Sequence, residues 1–309
     1  MKGSRQEQPP APLEVVGPDR LVLGEGVRIV GGRIILVDIL AGRLLEVEPG
    51  NRPEPLLREL GRVERPLGAV APLAGRPDAW IAAVGDGIAV LEPPDQLTWL
   101  AHLEAESPGN MRMNDAVADP GGRFFAGSMD QAGMPEAGRL WRLDPDRSVS
   151  VVMDGITIPN GPAFDRERQV AYLADSAKGS IWRMAVDPAS GALGKPHEFV
   201  RVDSGEGSPD GMIVDDAGRL WVALWGAKRV VCFDSDGTLL RTISIPAQQP
   251  SSVAITPSAP GWLWVTSATV ELEHPEPLDG AIFKIPVGVT AHAADTVRLQ
   301  GLSEKPSRE

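Results

Sequence analysis

"SPDGMIVDDAGRLWVALW", Ser208 to Trp225, is the stretch whose reading decides the fold. It opens on a tight Pro-Asp-Gly step, runs through a short apolar segment, turns at "DDAGR" and ends in a second apolar segment. Short apolar runs bounded by Asp, Gly and Pro read as two strands joined by a tight turn. Asp210 stands at the mouth of the first strand, which otherwise reads as buried. A carboxylate there is either turn chemistry or a metal ligand. The choice rests on what fills the same slot elsewhere in the chain.

The same order recurs. Counterparts begin near Leu23 ("LGEGVRIVGGRIILVDILAGRLLEVEP"), near Pro66 ("PLGAVAPLAGRPDAWIAAVGDGIAVLEP"), at Arg112 ("RMNDAVADPGGRFFAGSM"), at Ile158 ("IPNGPAFDRERQVAYLADSAKGSIW") and at Gln249 ("QPSSVAITPSAPGWLWVTSA"). The slots are spaced by roughly 42 to 50 residues, the range of propeller blades. A lone four-stranded sheet exposes two faces and two edges, and radial packing buries the faces while leaving only short edges. No long stretch holds a 3.6-residue apolar period, so helical signal is weak. The six units therefore predict an all-β, six-bladed propeller with four-stranded antiparallel blades around a central channel. A two-sheet sandwich does not need the same turn residues at the same place in every unit. Residues 1–12 read as a disordered Pro-rich lead, 13–290 as one propeller domain and 291–309 as a loosely packed tail. The segment "LEVVGPDRLVL" is expected to supply the strand that closes the ring.

Composition narrows the function. The net charge of −12 repels phosphate backbones and argues against a nucleic-acid groove. No apolar run approaches the ~18 residues that span a bilayer, and the N-terminus lacks an apolar signal region, so no membrane partner and a cytoplasmic location are expected. The single cysteine, Cys232, excludes an internal disulfide, and its apolar neighbours make it a buried structural thiol. There is no G-x-S-x-G elbow, and the four histidines fall in loop or tail contexts, which argues against a Ser–His–Asp triad. "GGRFFAGSM" precedes a strand rather than a helix and so is no phosphate cradle. The tryptophans at 141, 182, 221, 262 and 264 read as inter-blade core, with Trp225 as an optional substrate wall.

The recurring slot answers the opening question. Its occupants are Glu25, Gly68, Asn114, Asn160, Asp210 and Ser251 or Ser252. In a propeller the residues opening each inner strand converge at one end of the channel. Two carboxylates meeting there repel unless one protonates or a cation intervenes. Glu25, Asn160 and Asp210 together supply two carboxylates and one amide oxygen. That is a hard-ligand set suited to one divalent cation, Ca2+ first, with Mg2+, Mn2+ or Zn2+ also admitted. Singly, "PNG" and "PDG" are common turn sequences; the shared slot is what makes them a metal site.

The motifs "LGEG", "RMNDAVADPGGRFFAGSMD", "IPNGPAFD", "LADS", "SPDGMIVDDAGRLWVALW" and "VTSA" together resemble the regucalcin/gluconolactonase family, also called the senescence marker protein family, with its luciferin-regenerating enzymes and sugar lactonases. The resemblance runs from about residue 21 to 288. It implies a six-bladed propeller with one divalent cation in the channel, held by Glu25, Asn160 and Asp210, and substrate binding by Arg112 and Asn114 of "R-x-N-D". Two positions depart from the family's pattern. Arg28 stands where an apolar or aromatic wall is expected, which points to an altered pocket, and Thr269 stands where an Arg is common. Asp130 and Gln131, after "GSM", are read as polar groups that grip a substrate hydroxyl.

These residues describe a metal-dependent lactone hydrolase, gluconolactonase-like in substrate. The metal polarises the carbonyl, Asp210 takes a proton from the attacking water, and Arg112 and Asn114 hold the substrate. The expected partner is a small molecule, and the expected state a monomer or homodimer. Two alternatives use the same architecture: a phosphotriesterase-like hydrolase, or a non-enzymatic calcium- or partner-binding platform.

Overall fold

The computed structural model describes residues 12–48, 56–107 and 110–301; the expected N-terminal lead, 1–12, lies outside them but for its last residue. The described chain forms six four-stranded antiparallel sheets arranged as blades around a hub. The inner strands are Gly24–Val30, Leu67–Leu73, Met111–Ala118, Pro159–Asp165, Ser208–Val214 and Pro250–Ile255. Five blades are built from four consecutive strands. The sixth takes Pro250–Ile255, Trp262–Ser267 and Ile282–Pro286, and is completed by Glu14–Val16 from the start of the chain. The closing strand thus comes from the segment that the sequence assigns to it. No helix among the described residues is long and apolar enough to cross a membrane.

The blades hold together through their faces. Each pair of neighbouring blades shares one buried apolar cluster, so the core is divided into six interfaces. Second strands such as Phe124–Asp130 are buried along their whole length because blades flank them on both sides. Outer strands such as Val149–Ile156 are half-buried to exposed. Trp221 and Trp264 lie buried in these interfaces, while Trp141, Trp182 and Trp262 pack at their margins. Cys232 is buried among apolar residues, and burial pushes its thiol up to about 12, so it is inert at neutral pH.

Every inner strand carries a register break at its mouth, between Glu25 and Arg28, Leu67 and Ala69, Met113 and Ala116, Asn160 and Ala163, Pro209 and Met212, and Pro250 and Val253. An extra residue in one strand re-aims its neighbours. Here the breaks fall on the slot residues. The slot of the second blade must be glycine: a Cβ on Gly68 would lie 2.2 Å from the Asn114 carbonyl oxygen. Close approach of blades two and three therefore removes one candidate oxygen donor from the ring.

The expectation of a loose tail after residue 290 does not hold for the described part. Ala291 and Val297 are fully buried. The backbone of 290–300 bonds to Asp216, Ile29, Pro72, Ala74, Gly122 and Pro145 in turn, and Asp295 pairs with Arg166 at 2.7 Å. This strap crosses the far mouth of the channel. It has neither a period of two nor turn residues, so it carries no strand signal. Its order comes from backbone bonds to blade ends far away in sequence.

Candidate active site at the channel mouth

The near mouth of the channel opens into a cavity of about 430 Å3. Four slot residues, Glu25, Asn114, Asn160 and Asp210, line its floor with Arg112. Blades one, three, four and five each contribute, so residues up to 185 positions apart in sequence meet because the ring closes. The slots of blades two and six do not take part. Gly68 has no side chain, and the blade-six serines serve the backbone. Ser251 Oγ donates to the Gly24 carbonyl at 2.5 Å, and Ser252 Oγ accepts from the Val27 amide at 3.1 Å.

Amide and hydroxyl groups are ordered into a chain. Arg112 Nη1 donates to the Met113 carbonyl at 2.9 Å and to Asn114 Oδ1 at 2.8 Å. Asn114 Nδ2 donates to the Pro159 carbonyl at 3.0 Å and to Asn160 Oδ1 at 3.2 Å. Asn160 Nδ2 donates to Ser176 Oγ at 2.8 Å, and Ser176 Oγ donates to the Pro209 carbonyl, beside Asp210, at 2.7 Å. Each donor has a fixed acceptor, so the amide oxygen of Asn160 is oriented toward Asn114 and keeps one acceptor position. Ser176 carries no role in the sequence reading. Its signal is its place directly after the Asp that ends "LAD", facing the slot of its own blade.

The electrostatics of the floor are those of two acids sharing one place. Glu25 and Asp210 are both buried, and each acts on the other's carboxyl. Burial, then Asp115, raises Glu25 from 4.5 to about 8. Burial, then Glu25 and Asp115, raises Asp210 well above the usual carboxylate range. Without a cation the pair keeps a proton between them. Burial also pulls the Arg112 guanidinium below its usual value, against the opposing pull of Glu25, Asp210 and Glu271.

The donor set fits a hard divalent cation. Two carboxylates and an oriented amide oxygen converge, and their repulsion is the conflict that a cation relieves. Among the described residues no three of His, Cys, Asp and Glu are grouped as a metal site. The candidate site thus rests on two carboxylates and amide oxygens, without nitrogen or sulfur donors.

Two sequence expectations change here. Asp130 is absent from the cavity lining, where Gln131 stands instead. The Asp130 carboxylate accepts from the backbone amides of Asn110, Ala132 and Met134 at 3.1, 2.9 and 3.3 Å. The same post recurs in two other blades. Asp38 accepts from Val22 and Leu23, and Asp175 from Thr157 and Ile158. In each case a carboxylate ending the second strand grips the chain that leads into the inner strand. In blade five Trp225 holds the corresponding place opposite Ser208 and lines the cavity.

Arg28 is the second change. It lines the opposite end of the channel rather than this cavity. Its Nη2 reaches across the hub to Asp115 Oδ1 at 2.9 Å and to the Ala116 carbonyl at 3.1 Å. Asp115 Oδ2 in turn accepts from the Gly161 amide at 2.8 Å. The pair joins blades one and three behind the floor of the site. The sequence contains both residues but not their pairing, which depends on the register breaks that turn Arg28 past the slot.

Comparison with known proteins agrees with this architecture. The model of the SMP-30/Gluconolactonase/LRE-like region matches residues 23–269. A pentonolactonase of Haloferax volcanii is 42% identical over 159 residues, 51% of this chain and 53% of that protein; that match spans about half of the relative. Regucalcin of Xenopus laevis is 29% identical over 265 residues, covering 82% of this chain and 86% of its own. The crystal structure of a calcium-binding protein, regucalcin, from Agrobacterium tumefaciens superposes with a TM-score of 0.85 at 26% identity, covering 94% of this chain and 98% of that one.

Proposed function

The chain belongs to the SMP-30/gluconolactonase/LRE-like family, and from that membership we propose that it is a divalent-cation-dependent hydrolase opening a sugar lactone or related lactone at the channel mouth. The observation that carries this reading is the meeting of Glu25, Asn160 and Asp210 on the floor of one cavity with Arg112 and Asn114 beside them. The lactonase name of the Haloferax relative supports the reaction class. The calcium-binding description of the Agrobacterium protein supports the cation.

Glu25, Asn160 and Asp210 would hold the cation, whose bound charge replaces the shared proton and supplies Lewis acidity toward a carbonyl oxygen and a nearby water. The chain's own groups do the rest. Nη1 of Arg112 is committed to Met113 and Asn114, while its Nε and Nη2 have no hydrogen-bond partner among the described residues. Those free donors hold the lactone carbonyl or a ring hydroxyl and favour the oxyanion as it forms. Asp210 accepts a proton from water as the water oxygen bonds to the carbonyl carbon. It returns that proton to the ring oxygen as the C–O bond breaks, giving a hydroxy acid. Trp225, Ile39 and Leu40 give the C–H face of the ring an apolar wall.

The test is acid release from gluconolactone, simple γ- and δ-lactones and a phosphotriester. The protein is stripped by chelator, and each divalent ion is then added back. The reading requires ion-dependent lactone opening that Asp210→Ala abolishes. Lactone turnover untouched by chelation and by that substitution removes it, and ion-dependent turnover of the phosphotriester alone transfers the site to that substrate.

A further inference from the structure

Glu271 stands on the wall of the same cavity, in the loop that follows the second strand of blade six. It is exposed, and among the described residues it makes no hydrogen bond or ion pair. Its backbone is left-handed, with φ 63. A side chain at such φ is uncommon outside Asn, Asp and Gly and is held only where the surroundings impose it. Here the imposition is visible: the amides of Thr269 and Val270 both donate to the Val22 carbonyl at 3.0 Å, and that of Leu272 to the Thr269 carbonyl. The strained loop presents an unpartnered carboxylate to the cavity. Glu271 exerts a Coulombic pull on Arg112, yet the two form no ion pair among the described residues.

We propose that Glu271 is a specificity-determining residue that admits neutral lactones, rejects anionic ones and hastens departure of the carboxylate product. The inference rests on the lactonase reading. Lactone opening turns a neutral substrate into an anion, which the free donors of Arg112 and the cation proposed beside it would retain. A fixed negative charge on the wall offsets this pull after the reaction without opposing entry before it. Across a cavity of this size, one unit charge changes the binding of an anion by about tenfold, less at high salt.

Glu271→Gln keeps the size and the backbone demand of the residue and removes only the charge. Two arms are measured on the wild type and this variant, with thermal unfolding as the check on folding. In the first, kcat/KM is compared for gluconolactone and its 6-phosphate, with gluconate as product inhibitor. The expected result is a selectivity for the neutral lactone that falls about tenfold in the variant, inhibition by gluconate that tightens about tenfold, and both changes shrinking in 0.5 M NaCl. In the second arm, binding of gluconate and 6-phosphogluconate is titrated calorimetrically, which needs no turnover. Tighter anion binding by the variant alongside no turnover by either protein keeps the charge filter and discards the lactonase. Selectivity, inhibition and anion binding all unchanged in Glu271→Gln, with neutral-lactone turnover present, overturn the charge filter and leave the lactonase standing.

Discussion

Replacing Arg28 by Met tests the ion pair that lies behind the site. The two side chains are 14% and 5% exposed, so this is an interior pair. Removing one partner of such a pair costs about 3–5 kcal/mol, because the other charge is left uncompensated. Asp115 keeps two donors, the amides of Ala116 and Gly161, each at 2.8 Å. Those bonds place the loss near the lower end, about 3 kcal/mol. Asp115 already pushes up both Glu25 and Asp210, while Arg28 opposes the rise at Glu25. Loss of Arg28 therefore also raises the proton affinity of the floor. The assay is urea unfolding of chelator-treated protein at pH 7. With a slope of about 3 kcal/mol per molar urea, the midpoint should fall by about 1 M at unchanged slope. Arg28→Lys keeps the charge without the fork and should recover about half of the loss. A midpoint shift below about 0.3 M for Arg28→Met would mean that the pair is solvated or unformed, and the description of the hub would be wrong.

Three further outcomes follow from the same geometry. In chelator-treated protein, Glu25 is raised from 4.5 to about 8 and Asp210 is raised too. A raised carboxyl contributes stability that is fully present below its unfolded value and is lost as pH climbs through the folded one. The melting temperature should therefore fall between pH 5 and 9, and Asp210→Asn should flatten the fall; a rising melting temperature over this range contradicts the shared proton. Gly68→Ala places a Cβ 2.2 Å from a backbone oxygen of Asn114, which should cost about 2–3 kcal/mol in chemical unfolding and weaken substrate binding through displaced Asn114; a variant as stable as the wild type refutes the close approach. Asp130→Ala should lose about 2–4 kcal/mol of stability by freeing three backbone amides, with turnover retained; a stable but inactive variant returns Asp130 to the substrate.

The fold was readable because a propeller repeats its local chemistry. Slot, turn and strand recur at one period, and even the closing strand announces itself as an apolar run before the first unit. The meeting of Glu25, Asn160 and Asp210 at one cavity is readable for the same reason: the three share one slot. What escaped is what the period does not encode. Asp130 reads as a substrate group because it follows a site motif, although "LVD" at Asp38 and "LAD" at Asp175 end their second strands in the same way. Comparing those three ends reveals the shared backbone clamp. Arg28 and Asp115 were visible singly, but their pairing follows from the curvature of the ring and a register break. Glu271 lies in a loop without periodicity, where only the backbone angle marks it. The strap over 290–301 is fixed by backbone bonds to blades one, two, three and five, and side-chain patterning gives no hint of such bonds.

The account stands most directly on one titration: calorimetric binding of Ca2+ to chelator-treated protein at pH 7, repeated in buffers of different ionisation enthalpy. It predicts one ion per chain, with protons released as the ion displaces the one shared by Glu25 and Asp210, and loss of both signals in Glu25→Gln and Asp210→Asn. Absence of binding by Ca2+, Mg2+, Mn2+ and Zn2+ alike, or binding that survives both substitutions, would contradict a cation held at the hub by these residues.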